Sequence, residues 1–147
     1  MASQLPPFLP QETDFSCAVA CLRMFIAAFG IAKSESELRE LCDCTIFGTP
    51  AVELTHAARS LGFPGSRKYS LTIADLKAFT EQGYFPIVYA VVQLDNTLPD
   101  VHAMVVTSVS ATEVAVIDPK FGYRRLSRAE FNEMWSPMKK VAVVISK

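Results

Sequence analysis

Apolar residues change their spacing partway along this chain of 147 residues, and that change restricts its architecture more than any other feature. In residues 17–29, Val19, Leu22, Phe25, Ile26 and Phe29 recur at three- and four-residue intervals, which aligns them along one side of a helix. In the second half the runs PIVYAVVQL, HAMVVTSV, EVAVID and VAVVIS are short, apolar and bounded by turn residues, so they read as strands. Helices first, then consecutive strands joined by short loops, predict an α+β architecture with the N-terminal helices packed on an antiparallel sheet.

Local signals place the element ends. Ser16 or Asp14 can cap the first helix, which puts Cys17 in its first turn, and Gly30 is a natural stop. A second helix, about 35–42, opens with the capping box Ser34-x-x-Glu37. A third runs from Pro50, a favoured first-turn proline, to about Leu61 and ends at Gly62. A fourth, about 73–82, starts with Thr72-x-x-Asp75 and stops at Gly83. DPKFGYRRL reads as a turn feeding a short strand, followed by a helix at 128–135 that opens with Ser127-x-x-Glu130. With no repeat, linker or low-complexity stretch, residues 1–147 read as one domain.

Composition excludes several classes. Half the residues are apolar and 20% are charged, which is ordinary globular usage. A net charge of −1 gives no general case for nucleic acid or an acidic membrane surface, and the short basic clusters KKV and YRRLSR read as solvated faces. The start, MASQLPPFLPQETDF, lacks the basic and apolar regions of a signal peptide, and FPIVYAVVQL is too short to span a membrane as a helix. The chain is therefore expected to be soluble and cytoplasmic. Disulfides are not expected there, and Cys17, Cys21, Cys42 and Cys44 lack the knuckle spacing of a zinc site.

The stretch QETDFSCAVACLRM, residues 11–24, carries the chemistry. A thiol is a useful nucleophile only as thiolate, and a helix N-terminus and a nearby imidazolium both favour that form. Cys17 has the helix start. Of the two histidines, His56 sits mid-helix in ELTHAARSL and reads as a surface residue, whereas His102 begins a strand beside a loop and can face a cleft. Asp118 ends the next strand, so an antiparallel pair can bring it to the ring of His102 and fix the tautomer of that base. Asp118-Pro119 is equally a common turn starter. Gln11 stands six positions ahead of Cys17, and its amide with the Cys17 backbone N–H can supply two oxyanion donors, although a glutamine in such a segment is often merely solvated. Cys21 reads as core packing, and nothing assigns a role to Cys42 or Cys44.

These residues match a pattern. The order Gln-x5-Cys-x-x-Ala-x-Leu-x-Met, then Leu-Gly-Phe after a helix, then His before an apolar strand, then Asp-Pro, resembles the bacteriocin-processing cysteine peptidases. These are papain-like domains, commonly at the N-terminus of ATP-driven peptide exporters, that cleave leader peptides after a double glycine. The resemblance spans nearly the whole chain and implies Cys17 as nucleophile, His102 as base, Asp118 as orienting acid and Gln11 as oxyanion donor. It also implies a peptide or protein substrate, an exporter as partner, and no metal or organic cofactor. Two departures stand out: Ser16-Cys17-Ala18 replaces the usual Asp-Cys-Gly, and no membrane segment or P-loop ATPase follows.

Two other readings use the same residues. A deamidase or acyl transferase would share the triad and the thioester, and differs in product mass. A non-catalytic domain binding a peptide or partner would carry an inert, buried thiol.

Overall fold

The computed structural model describes residues 4–93 and 98–147. Its helices are α1 (Cys17–Ala27), α2 (Glu35–Leu41), α3 (Ala51–Ser60), α4 (Ile73–Glu81) and α5 (Arg128–Trp135). Its strands are β1 (Arg67–Ser70), β2 (Ile87–Val92), β3 (Asp100–Val109), β4 (Glu113–Asp118), β5 (Gly122–Ser127) and β6 (Val141–Val144). All six strands join one antiparallel sheet in the order β1-β6-β2-β3-β4-β5. The expected α+β architecture is therefore present. Leu94, the last residue of the run read as the first strand, lies outside the described residues.

The helix starts follow local hydrogen-bond chemistry. Ser34 and Glu37 exchange both bonds of a capping box, as do Thr72 and Asp75. At α5 Ser127 accepts from the Glu130 N–H at 3.1 Å, and only that half of the predicted box is present among the described residues. Gly30, Gly62 and Gly83 follow three helix ends with positive φ, a conformation that side chains with a Cβ resist. One predicted cap fails. Neither Ser16 nor Asp14 caps α1 with its side chain, because the Ser16 hydroxyl turns back to its own loop and to α2.

Helices cover both faces of the sheet, so the expected packing of the N-terminal helices on it accounts for one of two cores. Ile87, Tyr89, Ala103, Val105 and Val143 face a core shared with α1, α2 and α3. Their neighbours Val88, Ala90, Met104, Val106 and Ala142 face a second core with α4 and α5, centred on the buried Phe131 and Trp135. Strands buried on both sides have no polar face, which is why β2, β3 and β6 appear in the sequence as unbroken apolar runs.

Strand β1 was not expected. RKYS has no apolar alternation, and its side chains are largely exposed at the sheet edge, where charge discourages pairing with other chains. β3 also starts earlier than the run HAMVVTSV, at Asp100, so His102 lies inside the strand and not at its first residue.

Candidate active site

Cys17 is the first residue of α1, where backbone N–H groups have no partner within the helix. Helix α1 packs on β3, and the Ala103 N–H donates to Cys17 Sγ at 3.4 Å. The residue before Ala103 is His102, only 5% exposed. Its Nε2 lies 2.7 Å from Asp118 Oδ1. That contact follows from register: Val105 stands opposite Ile117, which brings the end of β4 to the start of β3. With Nε2 engaged by Asp118, Nδ1 is the ring atom left to serve Cys17, whose sulfur also favours the charged ring. Cys17, His102 and Asp118 thus form one connected series, while His56 stays exposed on α3.

Asp118 is fully buried and has more partners than the sequence suggested. The Lys120 N–H donates to Oδ1 at 2.8 Å, and Arg124 Nη1 donates to Oδ2 at 2.9 Å. Arg124 corrects the reading of YRRLSR as a solvated face. Gly122, with φ of +91°, turns the chain tightly after Asp118. Val116 then pairs with Arg124, which places the guanidinium diagonally across the ladder from Asp118. A charged residue two positions into the return strand of a hairpin was the available signal.

The charges reinforce one another. Burial disfavours the His102 imidazolium, yet hydrogen bonds to Asp118 and Cys17, and the charges of both, outweigh it and push the ring up to about 9. Burial likewise opposes ionisation of Asp118, and the His102 hydrogen bond and charge, with the Lys120 amide and Arg124, hold its carboxyl below the usual value.

Gln11 reaches the same corner by another route. Its backbone N–H donates to Pro119 O at 2.9 Å, beside Asp118. The side chain rests on its own loop, with Nε2 donating to Thr13 O at 2.7 Å and Oε1 buried without a hydrogen-bond partner among the described residues. The structure thus anchors Gln11 next to the Asp118–Pro119 turn without setting its amide against Cys17. The second N–H on Nε2 is the donor it has to offer.

A cleft of about 890 Å³ opens at Cys17 and Ala18. The turn Gly48–Ala51 bounds one side, and Lys68–Ser70 of β1 with Lys139 bound another. Tyr89 OH donates to Thr49 O at 2.8 Å and fixes that turn. Ala18 carries its extra methyl directly on the cleft wall, although it is only 2% exposed.

The other thiols are free; Cys21 and Cys42 are buried, and Cys44 is half-buried like Cys17. Burial pushes Cys21 well up and Cys42 up to about 12, and Cys44 places its sulfur on the carbonyls of Phe15 and Thr45 at 3.8 and 3.7 Å. Limiting iodoacetamide near neutral pH should therefore label Cys17 first, as read by peptide mapping. Prior labelling of Cys44 in folded protein would remove Cys17 from the nucleophile role.

A thiol at a helix start, an imidazole and a carboxylate in series on this frame define a cysteine peptidase of the papain-like class. The chain belongs to the peptidase C39 family, whose sequence pattern residues 6–147 match. It is 32% identical over 132 residues to the transport/processing ATP-binding protein ComA of Streptococcus pneumoniae, covering 88% of this chain and 17% of that protein. The crystal structure of the peptidase domain of Streptococcus ComA superposes with a TM-score of 0.78 at 25% identity, covering 95% of this chain and 97% of that one. A double-glycine-motif protease from an AMS/PCAT transporter, solved in complex with its leader peptide, shares the fold at a TM-score of 0.78 and 18% identity over 99% of this chain and 97% of that one. Among the described residues, no helix is long and apolar enough to cross a membrane.

Proposed function

We propose that the chain cleaves leader peptides on the C-terminal side of a double glycine, with Cys17 as nucleophile, His102 as general base and acid, and Asp118 as orienting acid. The observation that carries this reading is the contact of His102 Nε2 with Asp118 Oδ1 at 2.7 Å, beside a thiol bonded by the next residue's amide. Likeness to ComA and to a protease solved with its leader peptide supports the substrate class. By the same likeness, the peptide is the cargo of an exporter.

In the reaction His102 Nδ1 holds the proton of Cys17 as an ion pair, and the thiolate adds to the carbonyl carbon. The resulting oxyanion lies against the Cys17 N–H and the free N–H of Gln11. His102 returns the proton to the leaving amine, and water hydrolyses the thioester with the ring again as base. No step requires a metal or an organic cofactor.

Incubation with a panel of peptides with and without Gly-Gly, read by mass spectrometry, tests this proposal. Scission after Gly-Gly by the wild type and none by Cys17→Ala is the expected result. A gain of about one mass unit without scission would make the chain a deamidase with the same nucleophile.

The raised His102 value gives a pH prediction. Loss of the ring proton should give kcat/KM an alkaline limb near 9, well above the ordinary 6.5. The folded state holds this proton more tightly than the unfolded chain. Its contribution to stability is thus full below about 6.5 and disappears as pH rises through about 9. Asp118 acts oppositely: its contribution is present above the ordinary 3.8 and is lost as pH falls below that. Urea midpoints at pH 6 and pH 10 should show the first of these losses, and an alkaline limb near 6.5 would place His102 outside the titrating pair.

A further inference from the structure

Glu35 opens α2, a position where carboxylates normally face water, yet it is fully buried. Its Oε1 accepts both the Glu12 N–H at 3.0 Å and the Ser16 hydroxyl at 3.1 Å. Ser16 Oγ in turn accepts the Thr13 N–H at 3.1 Å and shares its proton with Thr13 O at 3.2 Å. Thr13 O is also the acceptor that holds the Gln11 amide, at 2.7 Å. On the other side, Ser16 O accepts the Ala20 N–H at 2.9 Å and so starts α1 at Cys17.

A single carboxylate oxygen therefore clamps both ends of the Glu12–Ser16 loop. One end of that loop carries Gln11 and the other carries Cys17. Among the described residues the remaining oxygen, Oε2, is buried without a hydrogen bond, and Arg39 Nε lies 3.6 Å from it. Burying an incompletely partnered charge is costly, and a neutral, apolar contact would hold two helices together as well. What an anion adds is the ability to collect two donors from a turn that has no regular structure of its own.

We infer that Glu35 is a positioning residue for peptide cleavage: through Ser16 and Thr13 it fixes the loop that carries Gln11 at one end and Cys17 at the other. This inference rests on the proposed role of Gln11 as oxyanion donor. Glu35 itself does not touch the reacting atoms.

The test is Glu35→Gln, alone and combined with Gln11→Ala, on the peptide of the panel that is cleaved fastest. Glutamine preserves side-chain volume and one carbonyl acceptor but turns an N–H2 group toward Arg39. The expected loss in kcat is roughly ten- to a hundredfold, the scale of a small misplacement of a catalytic group. KM, the urea midpoint and the rate of Cys17 alkylation by iodoacetamide, which forms no oxyanion, should stay within about twofold. In the Gln11→Ala background the same substitution should cost less than about twofold, because the group it positions is already gone.

If Glu35→Gln does not fold, Ser16→Ala cuts the link while leaving the carboxylate on the Glu12 N–H, and the same selective loss in kcat is expected. An unchanged kcat, an equal loss of alkylation rate, or full additivity with Gln11→Ala would overturn the inference. A normal kcat in Gln11→Ala alone would instead remove the oxyanion reading of Gln11, and the positioning role with it.

Discussion

His102→Ala should lower kcat by roughly a hundred-thousandfold or more, the cost of losing the base from a nucleophile–base unit. His56→Ala should leave turnover near wild type, since His56 is exposed on α3. The His102 loss is not expected to come from unfolding. With the ring removed, Asp118 keeps the Lys120 N–H and the Arg124 guanidinium, so its buried carboxylate is not left unpaired. Asp118→Asn should cost less than the histidine, because an orienting acid is partly replaceable and the thiol–imidazole contact remains. Steady-state cleavage with circular dichroism on each variant checks the set. Comparable losses from His56→Ala and His102→Ala in folded protein would leave no basis for choosing between them.

Gln11→Ala should lower kcat by roughly a hundred- to a thousandfold, the usual effect of deleting one oxyanion donor. KM should barely move, because the interaction develops with the charge in the transition state. Stability should fall only slightly. The backbone bond from Gln11 to Pro119 O survives the substitution, and Thr13 O keeps the Ser16 hydroxyl as a donor. What disappears is one side-chain bond of about 1 kcal/mol, partly offset by removing a buried, unpartnered carbonyl. A fall in urea midpoint with kcat per folded molecule unchanged would make Gln11 a structural residue.

The features legible in the sequence are those set by short-range rules. Two capping boxes, the glycine stops and the change of apolar spacing each depend on residues within one turn of one another, and they placed every helix within a few residues. The meeting of His102 with Asp118 was legible because strand order alone predicts which ends of neighbouring strands come together. Arg124 was not, since its partner is set by the hairpin register after Gly122, and a basic cluster looks like solvent-facing charge until that register is known. Nothing in the sequence marks Glu35, because only the way α2 lies against the Glu12–Ser16 loop buries it. Ser16 had all the marks of a helix cap and was drawn away by that same carboxylate. β1 was missed because an exposed edge strand has no apolar face to reveal it.

The position of the thiol against β3 bears on when the chain becomes dangerous to its surroundings. Cys17 meets the amide of a residue 86 positions later, whereas His102 and Asp118 are only 16 apart. During synthesis the sulfur precedes His102 and Asp118, so it has no imidazole beside it until the chain through β4 has been made and the sheet has closed on α1. A contact of such long sequence separation is among the slower ones to form. The proposed thiol–base pair can therefore assemble only as the two halves of the domain meet.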